Sequence, residues 1–456
     1  MYDNTSYIKL VNFLSKKLTI SYEAVYGYQY NISLEDQKGI FSKSKVLSFL
    51  SLMVFPLLIV LLLFKINKKN KIESHFTVEE WRNDSFSLYY KEIVEKFPDT
   101  ITISRLLYSN LEKSDCEESD KKQYNVFYIK DYIDKKTLIK IFCIILNPKF
   151  LFLLLSSIVK NKNNVCYMLL KFLASYIKLA SIASNLNTKI YLNANDINSH
   201  ILKYELFKNS NIIYLLIQSS IRDQDGLKYK GGDIIYCYSE VQAKLYRDNT
   251  NNYQEIISIG SIKNNTNFND NKKIYDILFV EQFGSRDRVY GKRADFIKML
   301  KHLIKLSYEH PELNIIYRGR PEKRIQNNKA FEIYKPILSK LNKSNINIDT
   351  EGSSYEKVKK TKLVIGNIST LCFESIGLNV ATIFFYYRQY NFELFDYNGS
   401  KDIVIRDDSY EVFKERVLYF LNHQENYNFE KYKLMYMNQN EDIVKIIADQ
   451  IKKYIY

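Results

Sequence analysis

Glycine and proline are scarce, with 13 and 6 copies among 456 residues. Disordered and collagen-like chains are rich in one or both, so those classes are excluded. Cysteine is scarce as well. Cys116, Cys143, Cys166, Cys237 and Cys372 are scattered, odd in number, and form no Cys-x-x-Cys pair. They supply neither a disulfide framework nor a zinc site and point to a reducing compartment. The five histidines, His75, His200, His302, His310 and His423, are dispersed. No Asp-x-Asp falls in a strand context that would hold a divalent cation, so no metal and no cofactor is expected. The start, Met1-Tyr2-Asp3-Asn4, lacks the basic stretch and apolar core of a secretory signal, and none is expected.

What the chain does have is apolar and basic. It is 46% hydrophobic and 15% aromatic, enough for sizeable cores, and its length suggests two domains. The net charge of +15 suggests anionic partners: nucleic acid, a membrane surface or a phosphate-bearing substrate. An abundance of Lys, Asn, Ile and Tyr also fits biased codon usage, so charge alone does not choose. A nucleic-acid binder should gather its basic residues on one face with interleaved aromatics. Here they are spread, and the densest cluster (Lys65, Lys68, Lys69, Lys71) adjoins an apolar run instead. Nucleic acid is therefore set aside.

That run, Val46–Phe64 (VLSFLSLMVFPLLIVLLLF), has 19 residues without a charge. A bilayer needs about 20 apolar residues as helix. Lys43 and Lys45 precede the run, so both flanks are basic and no orientation follows from them. Cationic flanks on both sides suit a helix dipping into one anionic leaflet, and Pro56 favours a kinked helix over a straight span. A buried core helix is the other physical reading. Phe150–Val159 (FLFLLLSSIV) is too short to span; it reads as a core helix or as part of a membrane-facing basic surface.

After Thr188 the pattern alternates. Strands are predicted at Lys189–Leu192, Asn211–Ile217, Gly232–Tyr238 and Glu255–Ile259, with helical periodicity between them, beginning through Ile197, Ile201 and Tyr204. Near-continuous apolar runs of this kind belong to parallel sheets buried on both faces. The Asn-rich stretch Lys263–Lys273 reads as a linker. Strands then restart at Asp276–Val280, Asn314–Tyr317, Ile346–Ile348, Leu363–Gly366 and Ala381–Tyr386. The expected fold is α/β with two Rossmann-like domains. The first covers 1–262 and includes the apolar segment 46–64; the linker is 263–273; the second domain is 274–430. A last helix in 431–456 packs back on the first domain.

The best chemical signal lies between Leu363 and Tyr386. A buried strand, LVIG, runs through Asn367 and Ile368 into Ser369-Thr370, where a helix begins. Ligands of open parallel sheets sit beyond strand carboxyl ends, and a helix N-terminus there attracts phosphate. Ser369 and Thr370 add hydroxyl donors, and Glu374, one turn on, suits a ribose or sugar hydroxyl. Ser369 as a simple helix cap is the blander alternative. Gly284-Ser285 would let the backbone approach a phosphate, and Arg318 or Arg320 could bind one. Candidates on the first domain's loops are Asp196 and Asp223 as general base, with Gln218 and Glu240 on the acceptor side.

Strand, Ser-Thr, helix with Glu, Gly, strand resembles the donor domain of GT-B glycosyltransferases that build bacterial surface polysaccharides of the capsule and lipopolysaccharide type. NANDINSH, the strand ending at Gln218, GGDIIYCYSE and IISIGS are similar to a run in the acceptor half, so the resemblance spans residues ~185–430. It departs at two places. Gln218-Ser219-Ser220 stands where members carry Gln-His-Gly, and Arg318-Gly319-Arg320-Pro321 stands where they carry Lys/Arg-x-His-Pro. The resemblance implies metal-independent transfer from a nucleotide-sugar donor to a glycan or lipid-linked acceptor. Phosphate would be held by Ser369, Thr370 and Arg318 or Arg320. Work at the cytoplasmic face of the inner membrane, against an anionic lipid surface, is the matching expectation. A CDP-glycerol or CDP-ribitol phosphotransferase and a non-catalytic membrane scaffold are the alternatives, and the former would want the missing histidines.

Overall fold

The computed structural model describes residues 5–35, 45–66, 71–82, 84–108, 124–161, 164–222, 224, 227–265, 272–281, 292–319, 339–341, 344–387, 393–396, 400–439 and 442–456. Two fully parallel sheets organise them, with mixed α/β layering.

The amino-terminal strands and helices alternate as follows. Three helices come first, α1 (Thr5–Leu18), α2 (Tyr22–Glu35) and α3 (Lys45–Lys65). Then come β1 (Ile72–Glu73), β2 (Phe76–Glu80), the short helices α4 (Ser85–Tyr89) and α5 (Lys91–Val94), β3 (Ile103–Leu107) and β4 (Asn125–Tyr128). Three more helices, α6 (Lys135–Ile145), α7 (Pro148–Lys160) and α8 (Val165–Asn185), lead to β5 (Leu186–Asn187) and β6 (Ile190–Asn193). Next are α9 (Ile201–Lys208), β7 (Ile213–Ile217), β8 (Gly232–Cys237), α10 (Glu240–Asn249) and β9 (Tyr253–Ser258). The sheet runs β4-β3-β2-β6-β7-β8-β9, and β1 pairs with β5 alone. Strand order reverses between β2 and β6, in the register Val78 opposite Leu192.

The second half contains β10 (Tyr275–Val280), α11 (Lys292–Glu309), β11 (Ile315–Arg318), β12 (Ile346–Asp349) and α12 (Ser354–Lys359). It continues with β13 (Thr361–Gly366), α13 (Thr370–Gly377), β14 (Ala381–Phe385), α14 (Glu393–Asp396), β15 (Val404–Ile405) and α15 (Tyr410–Asn422). Its sheet is ordered β12-β11-β10-β13-β14-β15, and its reversal point lies between β10 and β13, with Ile277 opposite Leu363. Buried residues such as Ile365, Phe384 and Phe279 fill both faces, which is why the strands read as unbroken apolar runs.

The chain then returns. α16 (Phe429–Tyr436) packs between α10 and α13. α17 (Ile443–Ile455) lays Ile443, Ile447 and Ile451 on the face of the first sheet that carries Phe76, Leu192 and Leu215. Gly260, at φ 96°, makes this return possible, because a Cβ there would stand 2.0 Å from the Asn438 carbonyl oxygen.

Among the described residues two helices are each long and apolar enough to cross a membrane, and they are used differently. Val165–Asn185 is 72% buried within the protein, whereas Lys45–Phe64 is only 17% buried. α3 inserts the stripe Ser48, Leu52, Phe55, Ile59 and Leu63 against α6 and α8, at helical spacing. Its other faces are equally apolar and exposed, including Leu50, Val54, Leu57 and Leu61. Exposed Phe152, Leu155 and Val159 of α7 add to the apolar surface of this half.

Candidate functional site

The reversal point of the second sheet ends in Gly366, and the chain turns at once into α13. Gly366 is required by contact. A Cβ there would lie 2.3 Å from the Cys372 Sγ, so only glycine lets the helix seat this closely on β13. Ser369 occupies the N-cap position in extended conformation, but its side chain makes no capping hydrogen bond. The first turn of α13 is thus free of a side-chain cap, the Cys372 N–H donating to the Ser369 carbonyl at 3.0 Å, and the positive end of the helix dipole has a hydroxyl beside it. Asn367 is 2% exposed, and both polar atoms of its amide lack a partner among the described residues. Sequence reasoning passed over it, since an Asn at a strand end ordinarily marks a turn.

A loop of the first half reaches this helix. The backbone N–H of Ile221 lies 3.4 Å from the Thr370 Oγ1. The loop is held from beneath by Asp196, which is buried. Its carboxylate accepts from the Ser219 N–H at 2.9 Å and the Ser219 hydroxyl at 2.6 Å, and pairs with the Arg222 Nε at 2.6 Å. With the Ser219 N–H and hydroxyl on one oxygen and the Arg222 guanidinium on the other, Asp196 organises the loop. It also shares no helical turn with His200: a single tight turn, Asp196–Asn198, ends before α9 begins at Ile201. Gln218 is likewise internal. Its Oε1 accepts from the Tyr238 N–H at 2.9 Å and its Nε2 donates to the Ser220 carbonyl at 3.0 Å and to Gln242. It faces no acceptor. Glu240 opens α10, is exposed, and lies 3.9 Å from Arg247.

Glu374 proves to be a junction between the halves. Its Oε1 accepts from the Ser261 hydroxyl at 2.8 Å and pairs with the Lys263 Nζ at 2.5 Å. Its Oε2 accepts from the Tyr355 hydroxyl at 2.7 Å, and the Asn264 side chain donates to its carbonyl at 3.0 Å. Burial would lower the Lys263 ammonium, but Glu374 outweighs it and holds this lysine well above its usual range. Both Glu374 oxygens are engaged across this seam, and the first residues of the expected linker are buried rather than solvated.

Arg318 is spent in the same way. Its Nε donates to the Ser354 hydroxyl at 3.0 Å, its guanidinium donates to the Glu351 and Gly352 carbonyls, and Asp349 lies at 3.1 Å. It braces the loop after β12 and is no free phosphate ligand. Asp223, Gly284, Ser285 and Arg320 lie outside the described residues.

The reversal point of the first sheet carries charge that the sequence reading missed. Glu79, fully buried on β2, accepts from the Tyr191 hydroxyl at 2.5 Å and pairs with Lys203. Burial lowers Lys203, with Glu79 opposing. On the opposite face Glu80 pairs with Arg105, whose guanidinium lies 3.9 Å from the Phe86 ring centre. The signal was there, in the charged residues of FTVEEW and ITISRLL, but charges inside an apolar pattern read as surface. His200 is buried nearby and held well below its usual range by desolvation, then by Lys230 and Lys203. Among the described residues no cluster of three His, Cys, Asp or Glu side chains is placed to hold a metal.

Against known structures, one from Listeria monocytogenes described as a "putative UDP-N-acetylglucosamine 2-epimerase" aligns with a TM-score of 0.52. The identity is 11%, over 84% of this chain and 97% of that one. The chain's fold is GT-B. The wall teichoic acid polymerase TagF (TM-score 0.45, 12% identity, 91% and 98% coverage) also aligns. So does Acinetobacter baumannii MurG (0.44, 10%, 84% and 100%). Residues 217–400 match a family model described as a "putative O-antigen biosynthesis protein". No curated protein matches the chain. The matched segment runs from the loop at Gln218 through α13, so it contains both sides of the Ile221–Thr370 contact. Over this segment the chain is similar to that family, and its fold is GT-B.

Proposed function

We propose that the protein is a glycosyltransferase that moves a sugar from a nucleotide-activated donor to a lipid-linked or polysaccharide acceptor. The observation that carries this reading is the first turn of α13, left uncapped by Ser369 at the sheet's reversal point and met there by the loop at Ile221. Unpaired N–H groups aimed at a fixed point stabilise charge that develops on a leaving diphosphate without reorganising at the moment of transfer. Ser369 and Thr370 donate to that diphosphate. Asp196 and Arg222 fix the loop that closes over it.

The acceptor reading rests on α3. A helix buried along one stripe and apolar on its remaining surface is satisfied by a lipid interface, with α3 lying along the membrane. Exposed Lys45, Lys71, Lys149 and Lys160 favour an anionic leaflet. On this reading the first half lies against the membrane at its cytoplasmic face, where a lipid-linked acceptor would be presented.

The test is calorimetric titration with UDP, CDP, GDP and CMP on the parent and on the Ser369→Ala, Thr370→Ala double variant. The parent should bind one of the four, and the double variant should bind it at least tenfold more weakly. Equal binding by the two proteins would refute the phosphate assignment.

A further inference from the structure

Asn367 holds the one side-chain amide at this site with neither polar atom paired among the described residues. Buried polar groups in folded proteins are almost always hydrogen-bonded, and leaving one unpaired costs more than a bond returns. Two such atoms on one side chain, at the carboxyl end of the strand that borders the reversal point, mark a place where something else completes the bonding. Glu374 is engaged by Ser261, Lys263 and Tyr355, and Arg318 by the loop after β12. Asn367 precedes the Ser369 cap by two residues, so a group bound to its amide lies within one turn of the phosphate position.

The chemistry of that group follows from the amide. Nδ2 is a donor and Oδ1 an acceptor. A phosphate oxygen only accepts, so it would satisfy the nitrogen and leave the oxygen stranded. A hydroxyl both donates and accepts, and two neighbouring hydroxyls meet both atoms at once. We propose that Asn367 reads a pair of hydroxyls on the nucleotide-sugar, on the ribose or on the sugar being transferred. The role rests on the nucleotide-sugar reading above. Both amide atoms are shut from water, so a ligand that pairs with them replaces no protein hydrogen bond of this side chain.

Asn367→Leu separates this role from a structural one, because leucine keeps the branched skeleton of asparagine with methyl groups in place of both polar atoms. The variant without ligand should melt at a higher temperature than the parent, since it no longer buries two unpaired groups. Asn367→Ser, which keeps one hydroxyl, serves where leucine packs poorly. Binding is then measured for UDP, CDP, GDP and CMP, their 2′- and 3′-deoxy forms, and the glucose and N-acetylglucosamine esters of the nucleotide that binds. If ribose is read, Asn367→Leu loses tenfold or more on the free nucleotide, and its deoxy form costs the variant nothing further. If the transferred sugar is read, the variant binds the free nucleotide like the parent and loses tenfold on the sugar ester. Equal binding of every probe by parent and both variants, or both variants melting below the parent, would overturn the proposal. A parent that binds no probe would instead overturn the nucleotide-sugar reading, and the melting shift alone would still test the unpaired amide.

Discussion

Replacing Lys263 by methionine strips the ammonium from a carboxylate that is 1% exposed. Glu374 keeps the Ser261 and Tyr355 hydroxyls, but these are neutral donors and do not offset a buried charge. Breaking a buried ion pair from one side costs about 3–5 kcal/mol. The double variant Lys263→Met, Glu374→Gln removes the charge altogether and keeps both hydroxyl bonds, so it should recover roughly half of that loss. The effect belongs to one seam in a two-domain molecule, so global melting is the wrong readout. Hydrogen exchange of 261–265 and 370–377 reports the seam directly. Lys263→Met should raise exchange there by about 100-fold or more, which corresponds to roughly 3 kcal/mol, and the double variant by much less. The sign with pH is fixed as well. Lys263 is held above the usual lysine range, so its contribution is complete below pH about 10 and is lost only in stronger alkali. Exchange in the single variant no faster than in the parent, or equal in the single and double variants, would refute the reasoning.

Three other outcomes are expected. Gly366→Ala should cost about 1–3 kcal/mol by overpacking against Cys372, and adding Cys372→Ala should relieve most of it, because the next atoms lie 3.7 and 3.9 Å away; no rescue in thermal melts would argue against the contact. Leu50, Val54, Leu57 and Leu61 changed together to glutamine should abolish co-sedimentation with phosphatidylglycerol vesicles while leaving the far-ultraviolet circular dichroism unchanged; undiminished pelleting would remove α3 as the lipid contact. His200 sits below its usual value of 6.5, so the unfolded chain takes up a proton that the folded chain refuses. Its contribution is complete above that pH and falls by up to about 1.4 kcal/mol per unit as the pH drops below it, a slope that His200→Gln should remove from urea titrations.

The second sheet was legible because its strands are apolar on both faces. The runs DILFV, NIIY, LVIG and ATIFFY became β10, β11, β13 and β14 with shifts of one or two residues. The same pattern located β6, β7, β8 and β9 in the first half and failed at β2 and β3. β2 carries Glu79 and Glu80 and β3 carries Arg105, each neutralised by a partner far along the chain, and no local period foretells such pairing. The site shows the same division. Position along the chain located Ser369 and Thr370 at a helix start, but it could not show that Glu374 turns toward Lys263, that Arg318 turns toward Gly352, or that Asn367 is left with nothing. Those outcomes depend on which loops meet in space. Asp196 likewise gives no hint in its sequence neighbours that Ser219 and Arg222 will clamp it.

The central claim is that a nucleotide phosphate binds at the first turn of α13. Hydrogen exchange with and without saturating UDP, CDP, GDP or CMP tests it most directly, with residues 366–373 and 218–222 as the reporting peptides. The account predicts that one nucleotide protects both segments together, and that the Ser369→Ala, Thr370→Ala double variant loses this protection. Protection confined to another part of the chain, or the same footprint in the double variant, would contradict it.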